Sequence, residues 1–455
     1  MLSFTSLNFI FRFLPIFLIA YYLVPGKWKN VVTIIGSIVF YSFGNVYFVF
    51  LLLLTCLLNY LITCQNSFEI DGSARARRGV KGKLMLEAVA LDIGVLAIFK
   101  ILGTFVDGAL FPIGLSFYIF KMISFQIDVY QGEVEEKPSI LGVMTYFTLF
   151  PQITQGPIMR YSEGEFYKTP AVNLKTLEEG LKYFIVGFAM KVALADRVGI
   201  LWNDINMYGY ESISTPLAWL GAFAYSFQLY FDFWGYSLMA SGIMVAMGYD
   251  FIQNFDQPYS ATTIGEFYRR WHMTLGSFFR DYVYIPMGGS RCSKPRLVFN
   301  LMLVWALTGI WHGNGLNFLI WGLVLGILIV LEKLLYGKLL TKYPVAGHIY
   351  LVLIIPLSWV VFAIGDIKRL GVYFSRLFPF FGTEGVVNYG DIIDYLGTYW
   401  WLIAISVVLC IPYFTKLANK FRKHWITSVM LLLLFWYCVY LSANTAGNPF
   451  MYLQF

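Results

Sequence analysis

Long apolar stretches separated by short polar intervals set the rhythm of this chain. They lie at about 8–24, 31–64, 85–107, 112–130, 140–156, 178–200, 214–248, 298–335, 346–366, 397–415 and 425–445. Crossing roughly 30 Å of hydrocarbon takes about 20 mostly apolar residues, with every backbone polar group satisfied inside the segment. Two of the stretches are long enough to hold two helices, and others suit re-entrant segments. The pattern predicts an all-α polytopic membrane protein with about eleven transmembrane or re-entrant helices.

The interval 250–296 breaks the rhythm. It is amphipathic, carries Arg269, Arg270, Arg280, Asp281, Arg291, Lys294 and Arg296, and holds no apolar run long enough to span. It is expected at the cytoplasmic interface, or re-entrant from that side. The run Arg75, Arg77, Arg78, Lys81 and Lys83 is expected in a cytoplasmic loop. By the same bias Lys416, Lys420, Arg422 and Lys423, just before the last apolar run, direct the final helix outward. No internal repeat is present, and no linker exceeds the polar segment at about 380–396. One membrane domain over 1–455 is therefore expected, with 250–296 on the cytoplasmic side and an extracytoplasmic tail at 446–455. The first apolar run has neither a basic leader nor a small-residue cleavage pattern, and reads as a retained membrane segment.

Composition sharpens this picture. Hydrophobic residues make up 58% of the 455 positions and charged ones 13%, more apolar surface than a soluble fold can hide. The net charge of +7 comes from Lys and Arg gathered between apolar runs, which suits topology and lipid headgroup contact. No stacked basic and aromatic pattern points to nucleic acid. Cys56, Cys64, Cys292, Cys410 and Cys438 are scattered without CxxC spacing, so neither a metal site nor a disulfide framework is expected.

Few residues are left to carry chemistry. His272, His312, His348 and His424 are the only histidines, and the first two have distinctive surroundings. His312 lies at membrane depth beside Trp311 and Asn314 and among glycines that leave room. An imidazole there can take a proton from a hydroxyl as that oxygen attacks a thioester carbonyl. It can equally donate a hydrogen bond across a helix interface, and chemistry alone leaves both readings open. His272, in a polar amphipathic stretch, reads by itself as an interfacial side chain. Arg280 and Asp281 read as support for its segment, although neighbours on a helix do not face each other. Asp232, in a strongly aromatic run, is expected to be a buried partner of a Tyr or Trp, with a tunnel role as the alternative. Tyr452, beyond the last helix, is either an interfacial anchor or a relay for an acyl group made inside and needed outside.

The segments FPIGLSFYIF (111–120), LFPQITQGPIMRYSEGEF (149–166), KVALADRV (191–198), RRWHMTLGSFFRDYVYIPMGG (269–289) and LTGIWHG (307–313) occur in this order. Together they resemble the membrane-bound O-acyltransferase (MBOAT) family, most closely its alginate O-acetyltransferase-like bacterial branch. The resemblance runs over nearly the whole chain. It implies helices ringed around a central tunnel in a bacterial plasma membrane, with His312 the essential catalytic histidine and His272 the second. It also implies acetyl-CoA or another acyl thioester as donor substrate, no tightly bound cofactor or metal, an extracellular or cell-wall polysaccharide as acceptor, and a separate extracytoplasmic acetyltransferase as partner. The chain departs from the branch at Ala363, where relatives commonly carry Arg. Within the family, D-alanyl transfer or acylation of a lipid or protein are the alternatives; outside it, a polytopic transporter or polymer exporter.

Overall fold

A computed structural model describes residues 2–65, 74–105, 111–134, 136–164, 166, 170–381, 387–444 and 450–451. Among the described residues the architecture is helical, and the one strand-like feature is an isolated antiparallel bridge between Phe255 and Trp271. Among the described residues five helices are long and apolar enough to cross a membrane: Val46–Cys64, Leu316–Lys342, Pro344–Ala363, Asp391–Leu409 and Trp425–Asn444. Two of the three longest apolar runs divide, into Lys29–Ser42 with Val46–Tyr60 and into Lys294–His312 with Leu316–Leu331, whereas 214–248 forms one helix, Thr215–Ala246. The first break is fixed by Asn45, whose side chain accepts the Tyr47 N–H at 3.0 Å and so caps the next helix.

The basic run from Arg75 to Lys83 differs from expectation. It forms the opening turns of helix Ala74–Phe105 and not a loop. Ala, Arg and Lys are strong helix formers, and nothing in the run stops a helix from extending beyond the hydrocarbon. The 250–296 interval is broken into short pieces, with helices Ile264–Arg270 and Met273–Phe279 of seven residues each.

The chain forms two compact units, one of residues up to Ile185 together with Tyr236–Gln253, the other of Val186–Gly235 with Asn254–Asn444 and Phe450 onward. The first has an aromatic centre. Phe4 stacks on Phe9 and Tyr236 at ring distances of 4.7 and 4.9 Å, and Phe17 meets Phe150 edge-on at 5.0 Å. Several of its buried polar groups pair with one another, as a lipid setting favours: Asn59 donates to Asp92 at 2.8 Å, Gln126 to Asn59 at 2.5 Å and Lys121 to Gln152 at 2.8 Å.

The second unit is organised by the hairpin of helices Lys294–His312 and Leu316–Leu331. The two backbones touch at glycines: a β-carbon on Gly309 would lie 2.5 Å from the Phe318 carbonyl oxygen, and one on Gly322 2.4 Å from that of Trp305. Close backbone approach through small residues is how apolar helices associate where burial alone offers little drive. Gly322→Ala forces the hairpin apart, at a cost of about 1–3 kcal/mol. A melting temperature several degrees lower in detergent is expected, whereas Gly79→Ala, with no atom within 4 Å of the new methyl, should not lower it.

Candidate functional site

The site begins with a short stretch of chain that holds one histidine in an unusual conformation. Thr263 accepts the Glu266 N–H at 3.1 Å and starts helix Ile264–Arg270. The helix ends at Trp271, extended and bridged to Phe255. His272 then turns into the left-handed region, with φ 47° and ψ 54°, before helix Met273–Phe279 begins. A side chain with a β-carbon rarely takes that conformation unless its surroundings impose it.

Asn254 imposes it. Its carbonyl accepts the Met273 N–H at 2.9 Å, and its side-chain Oδ1 accepts from the Thr274 N–H at 3.2 Å and the Thr274 hydroxyl at 3.0 Å. The same Oδ1 lies 3.1 Å from His272 Nδ1. A backbone N–H can only donate, so the Asn254 atom is the oxygen, and His272 Nδ1 must carry the hydrogen. The lone pair of the neutral ring is thereby on Nε2, a buried atom with no hydrogen-bond partner among the described residues. The ring is 3% exposed, with the edge of Phe233 at 4.6 Å. His272 lies outside the five apolar helices, and burial pushes its imidazole down from 6.5 to about 3, so it is neutral at physiological pH.

His312 closes helix Lys294–His312, which stops at the extended Gly313. Its ring is boxed by Trp311 at 4.6 Å and by Trp321 and Phe362 at 5.1 Å each. Asn317, at the start of the next helix, donates to the Phe362 carbonyl at 2.8 Å and ties that wall in place. The two histidines line one cavity of about 730 Å³. Trp311 stands between them, 6.1 Å from the His272 ring. Trp305 and Trp321 contribute apolar wall, and Arg269, Arg280, Lys333 and Lys338 make the lining basic. Glu332, the cavity's acidic residue, accepts the Ile264 N–H at 2.6 Å and the Gly265 N–H at 2.9 Å. It thus holds the first turn of the helix that leads to His272.

The remaining candidates are placed less uniformly. Arg280 lines the cavity and pairs bidentately with Asp281 at 2.6 and 3.0 Å. The neighbours do meet, because the long arginine folds back onto the carboxylate. Trp311 contacts both histidines, while Asn314 is exposed and does not line the cavity. Asp232 does not line it either. Among the described residues its partners are Lys191, at 2.6 Å, and the Met451 N–H at 3.0 Å, in place of the expected Tyr or Trp. Tyr452 lies outside the described residues. Among the described residues no group of three or more His, Cys, Asp or Glu side chains is arranged to hold a metal. Sequence reasoning passed over Asn254, Asn317 and Glu332. Of these, Glu332 carried a signal, being an acid inside an apolar run.

Comparison with known proteins finds that the pattern of the membrane-bound O-acyltransferase (MBOAT) family matches residues 124–375. The chain is 34% identical over 398 residues to a Pseudomonas syringae protein named probable alginate O-acetylase AlgI, covering 83% of this chain and 75% of that one. It is 31% identical over 378 residues to the peptidoglycan O-acetyltransferase of Helicobacter pylori, covering 73% and 70%. With the teichoic acid D-alanyltransferase of Bacillus subtilis it shares 29% identity over 236 residues, covering 46% and 56%.

The neutral, buried His272 makes acid destabilising. Once unfolded, the ring takes up a proton near pH 6.5 that the folded protein refuses until about pH 3. Its contribution to stability is complete above pH 6.5 and is lost as pH falls through that window, by about 2 kcal/mol between pH 6.5 and 5. The melting temperature in detergent is expected to drop between pH 7 and 5, and to drop less in His272→Gln.

Proposed function

Because this chain belongs to the membrane-bound O-acyltransferase family, we propose that it takes an acetyl group from a cytoplasmic thioester, acetyl-CoA, for O-acetylation of an extracellular or cell-wall polysaccharide. It is a multi-pass bacterial membrane acyltransferase. The acceptor class follows the names of its relatives, which act on alginate and peptidoglycan.

The observation that carries this reading is the single cavity lined by two buried histidines. His312 acts as general base: it takes the proton of the attacking hydroxyl as the new C–O bond forms at the thioester carbonyl. Collapse of the tetrahedral intermediate breaks the C–S bond, and the departing thiolate receives the proton. His272 has given its Nδ1–H to Asn254, so its Nε2 can only accept. That suits it to hold or deprotonate a hydroxyl, whereas polarising the carbonyl would need a donor there. The basic cavity residues suit a phosphate-bearing donor, and Trp305 and Trp321 help to keep water from the thioester.

In the wider arrangement, about eleven helices of one membrane domain ring a central tunnel. Residues 250–296 lie on the cytoplasmic side, the tail at 446–455 outside, and Tyr452 relays the acyl group to a separate extracytoplasmic acetyltransferase that completes delivery. D-Alanyl transfer from a carrier protein is the second reading, supported by the Bacillus subtilis relative.

Mass spectrometry of the envelope polysaccharides tests this, in cells carrying wild-type protein, His312→Ala or His272→Ala at matched membrane levels. Loss of one polymer's acetylation by about 10²-fold or more is expected in each variant, the scale of general-base assistance. Alanyl esters in place of acetyl would favour the second reading, and unchanged acylation of every polymer would overturn both.

A further inference from the structure

A second charged cluster lies away from the histidine cavity. Lys191 Nζ is 2.6 Å from Asp196 Oδ1 and 2.6 Å from Asp232 Oδ1. The side chains of Lys191 and Asp232 are each 1% exposed. Charges that deep persist only where partners replace their water. The pair is braced by close backbone packing, since a β-carbon on Gly235 would lie 2.7 Å from the Gly187 carbonyl oxygen and 3.2 Å from the Lys191 nitrogen.

Lys191 meets one oxygen of Asp232, and the far end of the chain meets the other. Asp232 Oδ2 accepts the backbone N–H of Met451 at 3.0 Å, across 219 positions of sequence. The Phe450 ring lies over Lys191 Nζ at 4.9 Å, where its face meets the cation. Phe450 and Met451 are 1% and 7% exposed. Without this dipeptide the buried Asp232 oxygen would lose its donor. The cluster is therefore complete only with the C-terminal peptide seated on it, and the next residue in the chain is Tyr452.

We infer that Lys191 and Asp232 form a latch that seats the C-terminal dipeptide Phe450–Met451, and that transfer of the acyl group to the polymer depends on this seating. This rests on the acyltransferase reading above. Lys191 and Asp232 are positioning residues: neither lines the histidine cavity, so their loss should act on transfer to the polymer and not on use of the donor.

The test compares wild type with Lys191→Met/Asp232→Leu, which removes the two buried charges together and leaves Asp196, 21% exposed, to water. A cysteine probe, Met451→Cys, keeps the backbone N–H and reports seating of the tail. Its labelling by maleimide in native membranes, quantified by mass spectrometry of the terminal peptide, is expected to be at least tenfold faster in the double variant. Polymer acetylation is expected to fall tenfold or more, with unchanged KM for acetyl-CoA. Lys191→Arg, which keeps the charge, should restore most of it. Met451→Pro deletes only the N–H that Asp232 accepts and should reproduce the loss, which covers the case in which the double variant fails to accumulate. Labelling that stays slow, or acetylation that stays at the wild-type level while labelling accelerates, overturns the latch. If wild-type protein acylates no polymer, the acyltransferase reading fails, and the labelling rate still reports on the seating of the tail.

Discussion

The hydrogen bond from His272 Nδ1–H to Asn254 is the interaction on which the site depends. One amide oxygen serves the imidazole, the Thr274 N–H and the Thr274 hydroxyl, and the Asn254 carbonyl holds Met273 as well. That convergence keeps the backbone of His272 in a left-handed turn and decides which ring nitrogen is left with a lone pair. A buried imidazole without this anchor could flip or change tautomer at little cost. With it, a neutral ring offers an acceptor to the cavity and nothing else.

His312 sits at a helix end, its ring packed among Trp311, Trp321 and Phe362. What matters is that its helix cannot slide against the next one, and the contacts at Gly309 and Gly322 prevent that. Glu332 connects the two halves of the arrangement, since it belongs to the second arm of the hairpin and holds the start of the helix leading to His272. A single hairpin thus carries one histidine and braces the element that carries the other.

Much of this could be read from the residues. Apolar run length located the helical stretches but not their divisions, since 298–335 breaks into two helices while 214–248, nearly as long, forms one. The distinctive surroundings of His272 and His312 singled them out, although chemistry by itself left His312 open and favoured an interfacial role for His272. What stayed hidden was pairing across the chain. Asn254 lies 18 positions from His272, and Glu332 lies 68 from Ile264, and no local period reports such contacts. Asp232 illustrates the same limit. Its aromatic neighbours suggested a Tyr or Trp partner, yet among the described residues it meets Lys191, which comes from another segment. Around His312 the nearer asparagine, Asn314, proved exposed, while Asn317 does the bracing, because the helix restarts between them. The basic run at Arg75 to Lys83 was legible as charge but not as helix.

The central claim is that the two imidazoles act on one thioester in one cavity. The most direct measurement is an experimental structure of the full chain with a non-hydrolysable acetyl-CoA thioether bound. The account predicts the acyl carbon inside the cavity with His312 and His272 Nε2 both within reach of an attacking oxygen, about 3 Å from each nitrogen to that oxygen's position. An acyl group bound outside this cavity, or one reached by neither histidine, would contradict it.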